Sequence, residues 1–521
     1  MASEIRLKAP NGRVYVYENV SYWDKKEKKT KHKRRCIGHV DPDTGEVVAN
    51  RKKGDAVKAR MVDRPGDGCT DHSCGIALVL DHLASQIGLT ATLQAVLPHD
   101  WAAVLTCAYS LLCNGKALSH AEFWTTDHVT PYGRTLTSQT ISDLLDRLDA
   151  GRQLDFFRAW NQVCLQEKYY AVDVTSISSY SKARKMVERG YNRDHEKHLG
   201  QINLLLVTGA ESGCPIYFRV LSGSLNDVAA LRDTVNVFEL IPLKRISYCM
   251  DKGFFSAANI DKFYATHSHF LIGVPFSSAR ARDAVADHRD TIRNVRNLRE
   301  SGNDQIYVDT ELQKWNGHRF YLHVYFDSAD AEEAVREFHL RLRSLHAELE
   351  AGTLNLDDIG DYAQYFDMKE TPKRGRRVHY RDDAIQNFEQ NRAGWFILGT
   401  NDIKDPIRAL QVYRMRDRVE KAFDDMKNSL DMKRLRVHSD NRAAARIFIQ
   451  FIALILRTRL RAMLTEAKWL PGRTFSEALA ALDSVRRITR SGKRKPLYTT
   501  LTKNQRLLLQ AANVPYPPTC V

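Results

Sequence analysis

The sequence predicts an α/β protein, and three observations carry the prediction. Strand-like apolar runs begin at about residue 168 and come first as a group: YYAVDVTSI, INLLLVTG and CPIYFRVLSG. Two more, ISYCMDKG and HFLIGVP, then alternate with helical segments, NDVAALRDTVNVFEL and SAANIDKFYAT. Grouped strands followed by alternation are an α/β layout. The third observation is YRMRDRVEKAFDDMKNSLDMKRLR at 413–436, too charged for a core and too regular for a loop, and read here as one helix.

The elements follow in chain order. Residues 1–65 read as a small, basic, β-rich unit: VYVYENVSYW alternates like a strand and DPDTGE is a turn signal. The run DKKEKKTKHKRR between them is either a solvated hairpin or a contact for DNA phosphates. Residues 66–165 read as a helical domain, through GIALVLDHLASQIGL, HDWAAVLTCAYSLLC and TISDLLDRLD, with Thr137 or Ser138 capping the last. A helix pair that binds DNA fits there. Residues 166–440 are the α/β core, interrupted at 276–393 by a mixed insertion. That insertion carries the strand RFYLHVYFD, the long helix ADAEEAVREFHLRLRSLHAELEAG and the basic turn KRGRR. GWFILGTN then returns as a strand, and 441–521 read as a helical tail with a basic loop, RSGKRKP.

Composition narrows the partners. The 521 residues carry a net charge of +15, and 43% are hydrophobic, so the chain has cores and is not disordered. A basic surplus of this size favours a polyanion, nucleic acid before an anionic membrane. The longest apolar run, IFIQFIALIL at 447–456, is half of the ~20 residues a spanning helix needs and contains Gln450. The first residues lack the apolar core of a signal peptide, which points to the cytoplasm and to no membrane partner. The nine cysteines are scattered and odd in number, unlike a secreted disulfide framework. CTDHSC gathers Cys69, His72 and Cys74, either half of a metal site or a loop leading into the helix near Gly75.

Within 413–436, helical geometry groups four side chains. With Tyr413 at zero, Arg416, Glu420 and Lys427 fall at roughly 300°, 340° and 320°. Val412, Val419, Phe423, Met426 and Leu430 form an apolar stripe beside them, between roughly 220° and 280°. The four residues therefore edge a cleft, or simply flank the stripe of an ordinary amphipathic helix. Asp417 and Asp424, at roughly 40° and 20°, lie near the same edge.

Two further carboxylates stand in strands. Alternation puts Asp173 on one face with Ala171 and Thr175, and Tyr170, Val172 and Val174 on the other. A mid-strand charge is costly unless paired, bound to a cation or hydrogen-bonded on a wet face. Asp251 closes RISYCMD, where α/β proteins collect ligands, or is a turn aspartate before Gly253. Two strand aspartates and a helix glutamate suit a pair of Mg²⁺ ions, which prefer hard oxygen ligands and bridge phosphate oxygens.

The signature Tyr413-(2)-Arg416-(3)-Glu420-(6)-Lys427 resembles that of DDE transposases of bacterial insertion sequences. YYAVDVTSISSYS and YCMDKGFFSAANI resemble the family's first and second aspartate regions. The resemblance covers about 165–440. It implies a ribonuclease H-like core with an insertion before the catalytic helix. It implies that Asp173, Asp251 and Glu420 bind two Mg²⁺ ions, with Mn²⁺ able to substitute, and that Tyr413, Arg416 and Lys427 bind DNA. The implied enzyme recognises inverted-repeat ends in double-stranded DNA, cuts them and joins 3′-hydroxyls to a target. It works as a homodimer in a synaptic complex, associated with the bacterial nucleoid when on DNA. The helix in the insertion departs from relatives whose insertion is mainly β. Two rivals stand beside this: a ribonuclease H-like nuclease without strand transfer, and a DNA-binding descendant without catalysis.

Overall fold

The computed structural model describes residues 2–8, 14–24, 29–40, 47–49, 70–164, 167–179, 186–188, 199–225, 231, 247–302, 304–371, 375–435, 439–489 and 495–518. The expected helix at 226–240 (apart from Leu231), the turn DPDTGE, Cys69 and most of RSGKRKP lie outside the described residues. The chain divides into two compact units: Met1–Thr70 with Thr489–Pro496, and Asp71–Ile488 with Leu497–Val521.

The first unit contains a four-stranded antiparallel sheet in chain order, β1 (Ala2–Lys8), β2 (Val14–Asp24), β3 (Lys29–Val40) and β4 (Val47–Ala49). The alternation of VYVYENVSYW is satisfied by β2, with Val16 fully buried. Of the run 24–35, Asp24 ends β2 and residues 29–35 open β3.

A short strand, β5 (Thr70–Ser73), runs across the boundary between the units, and the helix Gly75–Gln86 of the second unit begins where the sequence placed it. Helices Leu89–Val96, Trp101–Asn114, Ala121–Asp127, Ser138–Arg147 and Ala150–Cys164 follow. Thr137 is the cap of the fifth, its hydroxyl accepting from Thr140 N at 3.2 Å. These helices do not form a core of their own. Leu80, Leu105, Tyr109 and Trp160 share one apolar cluster with the sheet residues Val172, Leu204 and Phe218.

That sheet is built first from β6 (Tyr169–Ser179), β7 (Gly200–Gly209), β8 (Pro215–Ser222), β9 (Ser247–Met250) and β10 (His269–Gly273). Their order is β8-β7-β6-β9-β10. The pairs β6–β7 and β7–β8 are antiparallel, while β6–β9 and β9–β10 are parallel. The insertion does not form a separate body beside this sheet but lengthens it. Beyond β10 come β16 (Trp395–Thr400), β13 (His318–Phe326), β12 (Asp304–Trp315) and β11 (Leu298–Ser301), all antiparallel. The long helix of the insertion, Ser328–Glu350, is capped by Asp327 and has a small core of its own. Phe338, Leu342, Leu345 and Leu349 pack there with Ile359, Phe366 and Val378, the last two from the hairpin β14 (Phe366–Thr371) and β15 (Gly375–Tyr380). The insertion is thus mixed α/β.

β6 is buried along its whole length, as a central strand covered on both faces must be. One cover is the 27-residue helix Asp440–Glu466, in which every residue of IFIQFIALIL is buried. The segment read as a tail therefore supplies the central helix of the core. Gln450, its polar interruption, donates to Leu430 O at 2.8 Å. The other face is covered by Pro406–Arg414 through Ala409, Leu410 and Val412, against Tyr169, Cys249 and Leu271. Among the described residues no single helix is long and apolar enough to cross a membrane.

Candidate active site

The register of two parallel strands puts Asp173 beside Asp251. Val172 pairs with Met250, so the next residue on each strand carries a carboxylate at the same level and on the same face. This is the face that alternation assigned to Ala171, Asp173 and Thr175. It is not solvated: Asp173 is 7% exposed, and one of its oxygens accepts from Val174 N at 2.8 Å. Asp251 follows β9 in extended conformation and precedes a 3₁₀ turn, Lys252–Phe254. Its carboxylate does not cap that turn. It accepts instead from the Tyr413 hydroxyl, at 3.1 Å.

The charged segment 413–436 is not one helix. Pro406–Arg414 ends, a turn follows, and the chain resumes as Asp417–Asp424, then as a π turn, Asp425–Ser429. β17 (Arg434–Leu435) next pairs in parallel with the far end of β6, at Ser178 and Ser179. At the break, hydrogen bonds to the fourth residue back give way to bonds to the third: Arg416 N to Tyr413 O at 3.0 Å and Arg418 N to Met415 O at 3.1 Å. A tighter turn brings residues three apart onto one line. Arg416 accordingly lies over the Tyr413 ring, 5.5 Å from its centre.

From there the guanidinium reaches two acids. Arg416 Nη2 is 2.9 Å from Glu420 Oε1 and Nη1 is 3.8 Å from Asp173 Oδ2. Its side chain is only 14% exposed, against 54% for Glu420, so the cluster is closed beneath and open at the glutamate. Burial works against the arginine's charge, but Tyr413, Asp251, Glu420 and Asp173 around it outweigh burial and raise its pKa. Burial, then the charge of Asp251, pushes the Tyr413 phenol well above its usual range, so it stays protonated and donates.

The structure thus joins Asp173, Asp251, Tyr413, Arg416 and Glu420 in one network, while Lys427 sits further on, half-buried in the π turn. The competing carboxylates have other surroundings. Asp417 is exposed, and Asp424 accepts from Asn428 Nδ2 at 2.6 Å. Three features escaped the sequence reading. Gly273 on β10 leaves room for the tyrosine: a Cβ there would stand 3.0 Å from the Tyr413 hydroxyl and 3.0 Å from Lys252 N. A cavity of about 360 Å³ adjoins Asp251 and Tyr413, lined also by Lys252, Phe276, Arg392 and Trp395. Asp425, just past the helix Asp417–Asp424, is buried against Arg457 and Arg461, each at 2.8 Å. No local pattern marks any of them, because each depends on residues distant in sequence.

Three carboxylates around a half-open centre suit a hard cation by donor type. Their spacing is that of a cluster held by a guanidinium: among the described residues, no three His, Cys, Asp or Glu side chains close up as the ligands of one ion. The same holds for His72 and Cys74; Cys74 is buried, and burial pushes its thiol up to about 11.

The α/β sheet thus sets two strand aspartates at one level, with a helix glutamate joined to the first of them through Arg416. Residues 166–456, more than half of the chain, match the transposase DDE domain, and the chain belongs to that family. It is a transposase by family. Among solved structures it is similar to the piggyBac transposase, in a cryo-EM synaptic complex with hairpin DNA, at 11% identity and a TM-score of 0.34. That similarity covers 77% of this chain and 70% of that one. No curated protein matches the chain.

Proposed function

We propose that the protein is a metal-dependent DNA transposase of the insertion-sequence type, with a ribonuclease H-like core formed by β6–β10. It binds the inverted-repeat ends of its element, cuts the DNA and joins the freed 3′-hydroxyls to target DNA. The observation that carries this reading is that Asp173 and Asp251 stand at one level of the sheet while Asp173 and Glu420 share one guanidinium. These three residues would hold two Mg²⁺ ions, or Mn²⁺ in their place. Such ions supply charge neutralisation at a phosphate and lower the pKa of an attacking water or hydroxyl. Buried Asp173, fixed by Val174 N, and Asp251, oriented by the Tyr413 hydroxyl, form the rigid side of the site. Glu420, half exposed at the mouth, forms the side that faces DNA. Tyr413, Arg416 and Lys427 contact the transposon end, arginine and lysine through phosphates. The net charge of +15 favours that encounter. The working form is a homodimer holding two ends, bacterial and bound to the nucleoid when on DNA.

The test is cleavage of a labelled duplex carrying the element's terminal repeat, with Mg²⁺ or with EDTA, beside Asp173→Ala and Glu420→Gln proteins. The expected result is metal-dependent nicking at the repeat boundary that both substitutions abolish while end binding persists. Nicking without joining to a target duplex would identify a nuclease. Specific binding without cleavage under any metal would identify an inactive DNA-binding descendant. Loss of cleavage in Asp424→Asn but not in Glu420→Gln would move the helix ligand by one turn.

A further inference from the structure

The centre of the acidic cluster already holds a cation. One guanidinium serves Glu420 at 2.9 Å and Asp173 at 3.8 Å, and Asp251 is tied to the same group through Tyr413, over whose ring the arginine lies. A Mg²⁺ ion takes carboxylate oxygens at ~2.0–2.1 Å, far closer than a guanidinium does, and repels a second cation in the same space. The two cannot serve the same oxygens together. Arg416 is also placed to move. It stands at the break between two helical segments, and its partner Glu420 is 54% exposed, so the outer side of the pair is open.

We propose that Arg416 is a stand-in cation: in the DNA-free protein it holds Asp173 and Glu420 together and competes with divalent metal for them. This rests on the reading that these carboxylates bind metal. The competition gives the site a resting state. Metal loads weakly until the arginine is drawn away, and a phosphate oxygen is the group whose geometry suits a departing guanidinium.

The experiment is titration of the full chain, without DNA, with Mn²⁺ alone, read as a dissociation constant by electron paramagnetic resonance. Arg416→Gln is expected to bind Mn²⁺ about tenfold or more tightly than wild type, since a full positive charge leaves the site. Arg416→Lys, which keeps the charge, is expected to remain near wild type. Adding Asp173→Asn to Arg416→Gln is expected to remove the gain. If Arg416→Gln does not fold, Arg416→Met keeps an apolar stem over the Tyr413 ring and must show the same tightening. If Asp173→Asn weakens Mn²⁺ binding while the uncharged Arg416 variant binds no more tightly than wild type, the stand-in proposal fails and the metal site stands. If Asp173→Asn changes Mn²⁺ binding in neither background, the metal reading fails and the proposal falls with it.

Discussion

Two arginine–carboxylate assemblies lie within a few residues of each other, and they are opposites. At the break before Asp417, one arginine faces three acids: Arg416 with Asp173, Glu420 and, through Tyr413, Asp251. In the π turn, one acid faces two arginines: Asp425, with Arg457 and Arg461 from the long core helix. The first is short of positive charge and open on the Glu420 side. The second has its acid fully matched and buried at 8% exposure. A cluster short of cations invites another; a matched buried one is already complete and serves as a strut. A single stretch of chain thus carries one open, acid-rich cluster and one closed, matched one.

Substitutions should divide along the same line. The largest effect is expected from Asp173→Asn: a loss of cleavage on the order of a hundredfold to a thousandfold, as when a group acting at the transition state is lost, with little change in unfolding midpoint. An equal collapse of stability would make Asp173 as much a structural residue as Asp425. Asp425→Ala should do the reverse, costing about 4 kcal/mol in denaturant unfolding because Arg457 is left buried without its partner. A change under about 1 kcal/mol would make the second assembly as dispensable as a surface pair.

A third buried group tests whether acid sensitivity belongs to the open cluster or to the scaffold. His323 on β13 is fully buried between Thr310 Oγ1 at 2.9 Å and Ile403 O at 3.0 Å, and desolvation lowers its pKa to about 4. The unfolded chain, with an ordinary imidazole near 6.5, binds the proton more readily. The contribution is therefore fully present above pH 6.5 and is lost as the pH falls towards 4, by up to about 3 kcal/mol. Urea unfolding between pH 7 and 4 should show this slope in wild type and a shallower one in His323→Gln. Equal slopes would assign the acid loss elsewhere. The smallest effect is expected from Tyr413→Phe, which removes one hydrogen bond to Asp251, worth about 1 kcal/mol, and should slow cleavage roughly fivefold. Gly273→Ala should match it by crowding the same hydroxyl.

What was legible in the sequence follows from what is local. Alternation grouped Asp173 with Ala171 and Thr175, and Thr137 and Gly75 marked real helix boundaries. Helical arithmetic put Tyr413, Arg416 and Glu420 together, although the chain brings them together by tightening a turn rather than by continuing a helix. The wetness of the Asp173 face could not be read, because the helix that covers it arrives more than 200 residues later. The insertion read as an interruption, since nothing in RFYLHVYFD reveals that it will lie beside GWFILGTN.

By itself, the sequence determined the α/β alternation, the carboxylates and the spacing of the Tyr-Arg-Glu-Lys set, because side-chain periodicity is a property of neighbouring residues. Only the tertiary structure decided that Asp173 and Asp251 stand at one level, that the supposed tail is the central helix, and that Arg416 fills the acidic centre. Strand register, burial and ion pairing are set by which distant segments pack together, and that choice belongs to the whole chain.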